Sequence, residues 1–174
     1  MEPLNRRGEQ AERGRETIRL DCSCQCGKVR FSVESKTPVP YQRCYCSICR
    51  KSGGGGGYAI NIGADAATLN VSGAEHKRFY HARMHDGESE AERHFCGACG
   101  SALYLFDPRW PELVHPVASV VDTPLPRPPE IVHIMLGSKA AWVDVPEGEG
   151  HVHFEGYPDL SLEEWHRRHG LLQD

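Results

Sequence analysis

The sequence predicts a mainly β fold: several short antiparallel strands clamped by metal, with one short C-terminal helix. Three observations lead there. Eighteen glycines and twelve prolines punctuate 174 residues between short apolar runs, a texture that favours many strands over long helices. Apolar and polar residues alternate across those runs, as in half-buried strands. Seven of the eight cysteines form three tight groups, and in a reducing compartment such spacing points to zinc rather than to disulfides.

Residues 1–17 mix Glu and Arg with few apolar side chains and read as a disordered or loosely attached tail. A single zinc-binding β domain is expected over 18–174, long enough to bury its own core. Val29, Phe31 and Val33 alternate with Arg30 and Ser32, as do Tyr58, Ile60 and Ile62 after a glycine run. Further strands are expected at Thr68–Val71, Lys77–Arg83, Ala91–Phe95, Ala102–Phe106, Val117–Val121, Ile131–Leu136 and Ala141–Val145. Ser72-Gly73, Asp86-Gly87, Asp107-Pro108 and the prolines from Pro124 to Pro129 mark turns between them. The helix begins at Ser161-Leu162-Glu163-Glu164, the spacing of a capping box. Leu162 and Trp165 share a face, and Gly170 ends it.

Charge excludes several functions. With 24 acidic and 20 basic residues, the chain lacks the basic footprint of a nucleic-acid binder. No run is long and apolar enough to cross a membrane. The polar start carries no apolar stretch for a secretory signal, so a cytoplasmic location is expected.

The cysteine groups are unequal. Cys24 with Cys26, and Cys96 with Cys99, are pairs that together supply four thiolates, a closed tetrahedral shell. Gly27 and Gly100 follow them and allow the chain to wrap a metal closely. A redox reading of Cys96 and Cys99 needs a following helix to depress the thiol pKa, whereas Ser101–Phe106 reads as strand. Cys44, Cys46 and Cys49 form a trio with three readings: a catalytic zinc with an open fourth position, a second structural zinc completed by a distant ligand such as Cys22 or a histidine, or reduced buried cysteines.

Arg50 and Lys51 follow the trio, and then five glycines, Gly53, Gly54, Gly55, Gly56 and Gly57. Consecutive backbone N–H groups beside two cations would suit the anionic ends of a thiol-bearing ligand; the bland reading is a flexible turn. A P-loop is excluded, because Lys51-Ser52 precedes the glycines rather than following them. Cys22 reads as a free surface thiol, His94 as a solvated or packing histidine, and His115, His133, His151 and His153 as scattered without ligand spacing.

The runs Cys24-Gln25-Cys26-Gly27-Lys28-Val29-Arg30-Phe31, Arg43-Cys44-Tyr45-Cys46-Ser47-Ile48-Cys49-Arg50-Lys51-Ser52-Gly53 and Phe95-Cys96-Gly97-Ala98-Cys99-Gly100-Ser101 resemble the glutathione-dependent formaldehyde-activating enzyme family, which includes centromere protein V. The resemblance runs from about Leu20 to Val145. It implies two zinc ions per chain, a structural one on Cys24, Cys26, Cys96 and Cys99, and a catalytic one on Cys44, Cys46 and Cys49. It also implies a carbon–sulfur lyase that condenses or releases a small aldehyde and a thiol, with glutathione or an analogue as the small-molecule partner. The five-glycine run and Cys22 are not general features of that family. A non-enzymatic zinc scaffold for a protein partner is the alternative, and the oligomeric state is not legible.

Overall fold

The computed structural model describes residues 17–53 and 55–172. The expected N-terminal tail, apart from Thr17, and Gly54 lie outside the described residues. Alternation builds the first sheet. In β1 (Ile18–Ser23) Leu20 and Cys22 point inward, and in β2 (Arg30–Ser35) Phe31 and Val33 do the same. The two strands pair antiparallel, and β5 (Asn70–Ser72) adds to β2; β3 (Gln42–Cys44) and β4 (Ala64–Asp65) intervene in sequence. A second, five-stranded antiparallel sheet runs β4-β9-β8-β7-β6, where β6 is Lys77–Met84, β7 Gly87–Cys96, β8 Ala102–Phe106 and β9 Leu113–Pro116. The faces of these two sheets supply the larger core, in which Leu20, Val29, Phe31 and Val33 meet Leu103, Tyr104 and Val114.

The third sheet is parallel, with β3 and β11 (His151–His153) flanking β10 (Ile131–Ile134). It carries a second core of Val39, Tyr41, Cys44, Cys49, Ala59, Val132, Ile134 and Trp165. Tyr41 stacks on Trp165 at 3.6 Å between ring centroids, which fixes the C-terminal helix α2 (Leu162–Arg168) to this sheet. Another helix, α1 (Ser47–Ser52), begins inside the cysteine trio.

Several expected strands differ. Val117 continues the β8 pairing through one bond, 2.9 Å from its N–H to the Leu103 carbonyl, and Ala118–Val120 then form a 3-10 turn. Val117 and Val120, three apart, share the buried side of that turn, and this period was misread as alternation. Ala141–Val145 is not a strand because β10 is already flanked on both edges; Val143 instead buries alone in a turn. Ile131–Leu136 stops pairing at Ile134 and turns at Leu136–Ser138, and Thr68 belongs to a 3-10 turn before β5. Tyr58–Ile62 is an extended strap rather than a strand. Ala59 exchanges both backbone hydrogen bonds with Cys44, while Ile62 donates to the Pro116 carbonyl at 2.8 Å. The strap therefore joins the parallel sheet to the five-stranded one.

Candidate metal centres and the adjoining cavity

The pair group assembles from two distant turns. Cys24 and Cys26 lie in the turn between β1 and β2, while Cys96 ends β7 and Cys99 lies in the turn from β7 to β8. Gly27 and Gly100 take φ of 73° and 78° there, the left-handed backbone that each turn needs. Sulfur separations are 3.6 Å for Cys24–Cys26 and 3.8 Å for Cys26–Cys96, and all four sulfurs lie within 4.8 Å of one another. Zinc–sulfur bonds of about 2.3 Å put tetrahedral corners about 3.8 Å apart, so the donor set fits a zinc ion. The shell around it is made of local donors: Val29 N–H donates to Cys24 Sγ at 3.2 Å, and Ser101 Oγ sits 3.3 Å from Cys99 Sγ while accepting from Gln25 N–H.

The trio is one local turn. β3 delivers Cys44, and Cys46 serves as N-cap of α1, its sulfur accepting from Cys49 N–H at 3.3 Å. Cys49 then points back into the second core. The three sulfurs lie within 4.8 Å of one another, and among the described residues this group stops at three. Three sulfurs so close cannot all ionise against each other. Hydrogen bonds from the Cys44 and Cys49 thiols, helped by backbone N–H groups, hold Cys46 down to about 2. Cys44 goes up, chiefly because Cys46 and Cys49 press against it. Cys49 is pulled down by Cys44, yet Cys46 and burial outweigh that and raise it. A divalent cation at the centre removes this conflict and favours three thiolates, so the trio too fits a metal.

A cavity of about 340 Å³ adjoins the trio. Two of its lining residues reach Cys49 Sγ: Asn61 Nδ2 at 3.7 Å and Arg93 Nη1 at 3.9 Å. Sequence reasoning missed both, because nothing in the alternation of β7 or the strap says which polar residue faces a cysteine. Lys51 and Gly53 also line this cavity. Arg50, Lys51, Gly53 and Gly55 line a second, more open one of about 690 Å³ that extends to Cys24. Gly56 and Gly57 line neither. Gly57 has φ of 87°, and a Cβ there would fall 2.3 Å from Val143 Cγ2, so packing against the 141–145 turn requires glycine.

Cys22 corrects the expectation of a surface thiol. It is 2% exposed in the larger core, and burial, with Asp122 and Asp21 nearby, pushes its thiol up to about 12. It is a packing residue. His94 is buried, as a packing histidine should be, between Glu92 (2.8 Å) and Lys77 (3.2 Å), and stacks on Tyr104. Three of the four histidines that looked scattered converge: His133 lies 2.8 Å from Tyr45 Oη and 2.9 Å from His151 Nδ1, and stacks on His153, while His115 stays apart on β9. The parallel pairing of β10 with β11 brings them together, which no local spacing announces.

A family model described as glutathione-dependent formaldehyde-activating enzyme matches residues 19–138. A Halomonas elongata protein provisionally named glutathione-dependent formaldehyde-activating enzyme is 59% identical over 152 residues, covering 87% of this chain and 97% of its own. A crystal structure of a Rhodobacter sphaeroides protein covers 61% of this chain and 91% of its own, at 28% identity and a TM-score of 0.48.

Proposed function

The chain belongs to the glutathione-dependent formaldehyde-activating enzyme family, and from that membership we propose that it is a zinc-dependent carbon–sulfur lyase of the cytoplasm, built as one domain over residues 18–174. Its reaction joins the thiol of glutathione, or of a close analogue, to formaldehyde or a similar small aldehyde. The thiol gives up its proton, the sulfur–carbon bond forms as the carbonyl π bond opens, and the oxygen takes a proton to give a hemithioacetal, S-hydroxymethyl in the case of formaldehyde; the reverse releases both partners.

Cys24, Cys26, Cys96 and Cys99 would hold a structural zinc ion, and Cys44, Cys46 and Cys49 a second one. When bound at the trio, zinc lowers the pKa of a thiol or polarises a carbonyl oxygen. The chain's own groups supply the remaining requirements. The cations of Arg50, Lys51 and Arg93 raise the local concentration of an anionic thiol in a chain whose net charge is −4. Asn61 directs an N–H group at Cys49 and holds that side of the trio in place. Gly53 and Gly55 leave the cavity walls open to an approaching main chain.

The observation that supports this reading is the three-sulfur group, with no fourth protein ligand among the described residues, opening beside a cavity. Exchange NMR of formaldehyde and glutathione tests it, with zinc counted by native mass spectrometry. Accelerated exchange that disappears in Cys46→Ser is expected. Exchange at the uncatalysed rate with two zinc ions bound would leave the scaffold reading instead.

A further inference from the structure

We propose that Arg93 reads a carboxylate of the thiol substrate, so that the cavity beside the trio selects acidic thiols over uncharged ones; this rests on the thiol–aldehyde reading above. Arg93 Nε is buried with no hydrogen-bond partner among the described residues, and the guanidinium makes no ion pair there. Its Nη1 makes a weak 3.9 Å approach to Cys49 Sγ. A buried guanidinium ordinarily finds a carboxylate. The exposed guanidinium groups of Arg109 and Arg19 do so, holding Asp107 at 2.6 Å and Asp21 at 3.1 Å; Arg50 Nε is also buried without a partner, but beside the more open cavity that extends to Cys24.

The exception is local. Across the sheet Arg93 pairs with Tyr80 and Leu105, neither of them acidic. The adjacent Glu92 carboxylate is taken by His94. Among the described residues no acidic side chain lines the cavity; its walls combine aliphatic Leu105 and Val117 with Tyr80, Tyr104, Asn61 and Lys51. The cavity therefore offers a planar, bidentate donor within reach of the cysteine that closes the trio, and no carboxylate among the described residues pairs with it. A carboxylate a few bonds from a thiol matches that spacing: sulfur toward Cys49, anion on Arg93. Lys51, at the mouth, adds charge without the fork geometry.

S-methylglutathione, which has the carboxylates but no free thiol, tests this by titration calorimetry without formaldehyde. The comparison ligand is its diethyl ester. Arg93→Gln should weaken S-methylglutathione binding about tenfold or more, leave the ester unchanged and retain two zinc ions, with Arg93→Lys between. In the exchange assay, KM for glutathione should rise in Arg93→Gln by a larger factor than KM for cysteamine, a thiol lacking a carboxylate. Equal losses with both thiols, or loss of zinc with unchanged S-methylglutathione binding, would overturn the proposal and make Arg93 a support for Cys49. Binding that depends on Arg93 without accelerated exchange would instead remove the lyase reading and keep the carboxylate site. Accelerated exchange with KM and binding indifferent to Arg93 would do the opposite, and neither binding nor exchange would overturn both.

Discussion

At the scale of single residues, Tyr45 ties the trio to the parallel sheet. It stands between two of the clustered cysteines and is fully buried, with His133 Nδ1 2.8 Å from its phenol oxygen. With the phenol donating to Nδ1, the single N–H of a neutral His133 lies on Nε2 and points at His151. Burial, then the charges of His153, Arg43 and His151, lower His133 to about 4; burial and Lys77 do the same for His94 against the pull of Glu92. Both folded-state values lie below the ordinary 6.5, so below that pH the unfolded chain takes up protons that the folded chain refuses. These histidines are neutral in both states above pH 6.5 and cost stability progressively from there down to about 4. Urea midpoints measured from pH 7 to 4 should fall, and less steeply in His133→Gln and in His94→Gln. A slope unchanged by either substitution would place the acid sensitivity at the thiolates alone.

At the scale of elements, α2 shows how far a local signal reaches. Ser161 Oγ accepts from Glu164 N–H at 3.1 Å, and Gly170, at φ 68°, closes the other end. The return half of the capping box is absent: Glu164 pairs with Arg167 and Arg168 at 3.1 and 3.2 Å, because two cations one turn away compete for its carboxylate. Ser161→Ala should therefore lower unfolding free energy by about 1 kcal/mol, the loss of one cap bond, read by denaturant titration. Glu164→Gln should cost less, since its ion pairs are solvated. β8 and α2 were legible because their whole pattern lies in adjacent residues. α1 was not, since six residues give too little periodicity and its cap is a cysteine. β3 and β11 were missed because each is three residues long and parallel to β10, so their partners lie far along the chain. The three cysteine groups were legible for the opposite reason: ligand chemistry is written in residue type and spacing. The orphan guanidinium of Arg93 was invisible, because absence of a partner is a property of the fold.

At the scale of the whole molecule, each cysteine group belongs to a different core. Cys24 and Cys96 are buried in the larger one, Cys44 and Cys49 in the smaller. The pair group joins Cys26 to Cys96 across 70 positions, whereas the trio spans one turn. Metal at the pairs thus closes a long loop and contributes directly to folding, and metal at the trio closes almost none. Cys96→Ser should give aggregated or unfolded protein, and Cys49→Ser a folded domain with one zinc fewer, by circular dichroism and native mass spectrometry. Equal loss of folding in both would show that the smaller core also depends on its cysteines for assembly.

The strap from Tyr58 to Ile62 has a consequence for the order in which the molecule opens. Cys44 and Ala59 exchange two backbone hydrogen bonds at 2.9 and 3.0 Å, and three residues later the same strap bonds the Pro116 carbonyl. An amide at Ala59 or Ile62 can meet solvent only when the strap leaves one of the two sheets, so its lifetime reports their separation rather than local fraying. Deuterium should enter these amides at the slow rate of central β8, although neither lies in a regular strand. Stripping metal from the trio should then hasten Cys44 and Ala59 while Leu103 keeps its pace. The strap is a built-in timer for the seam between the half of the protein that carries the trio and the half that carries the pairs.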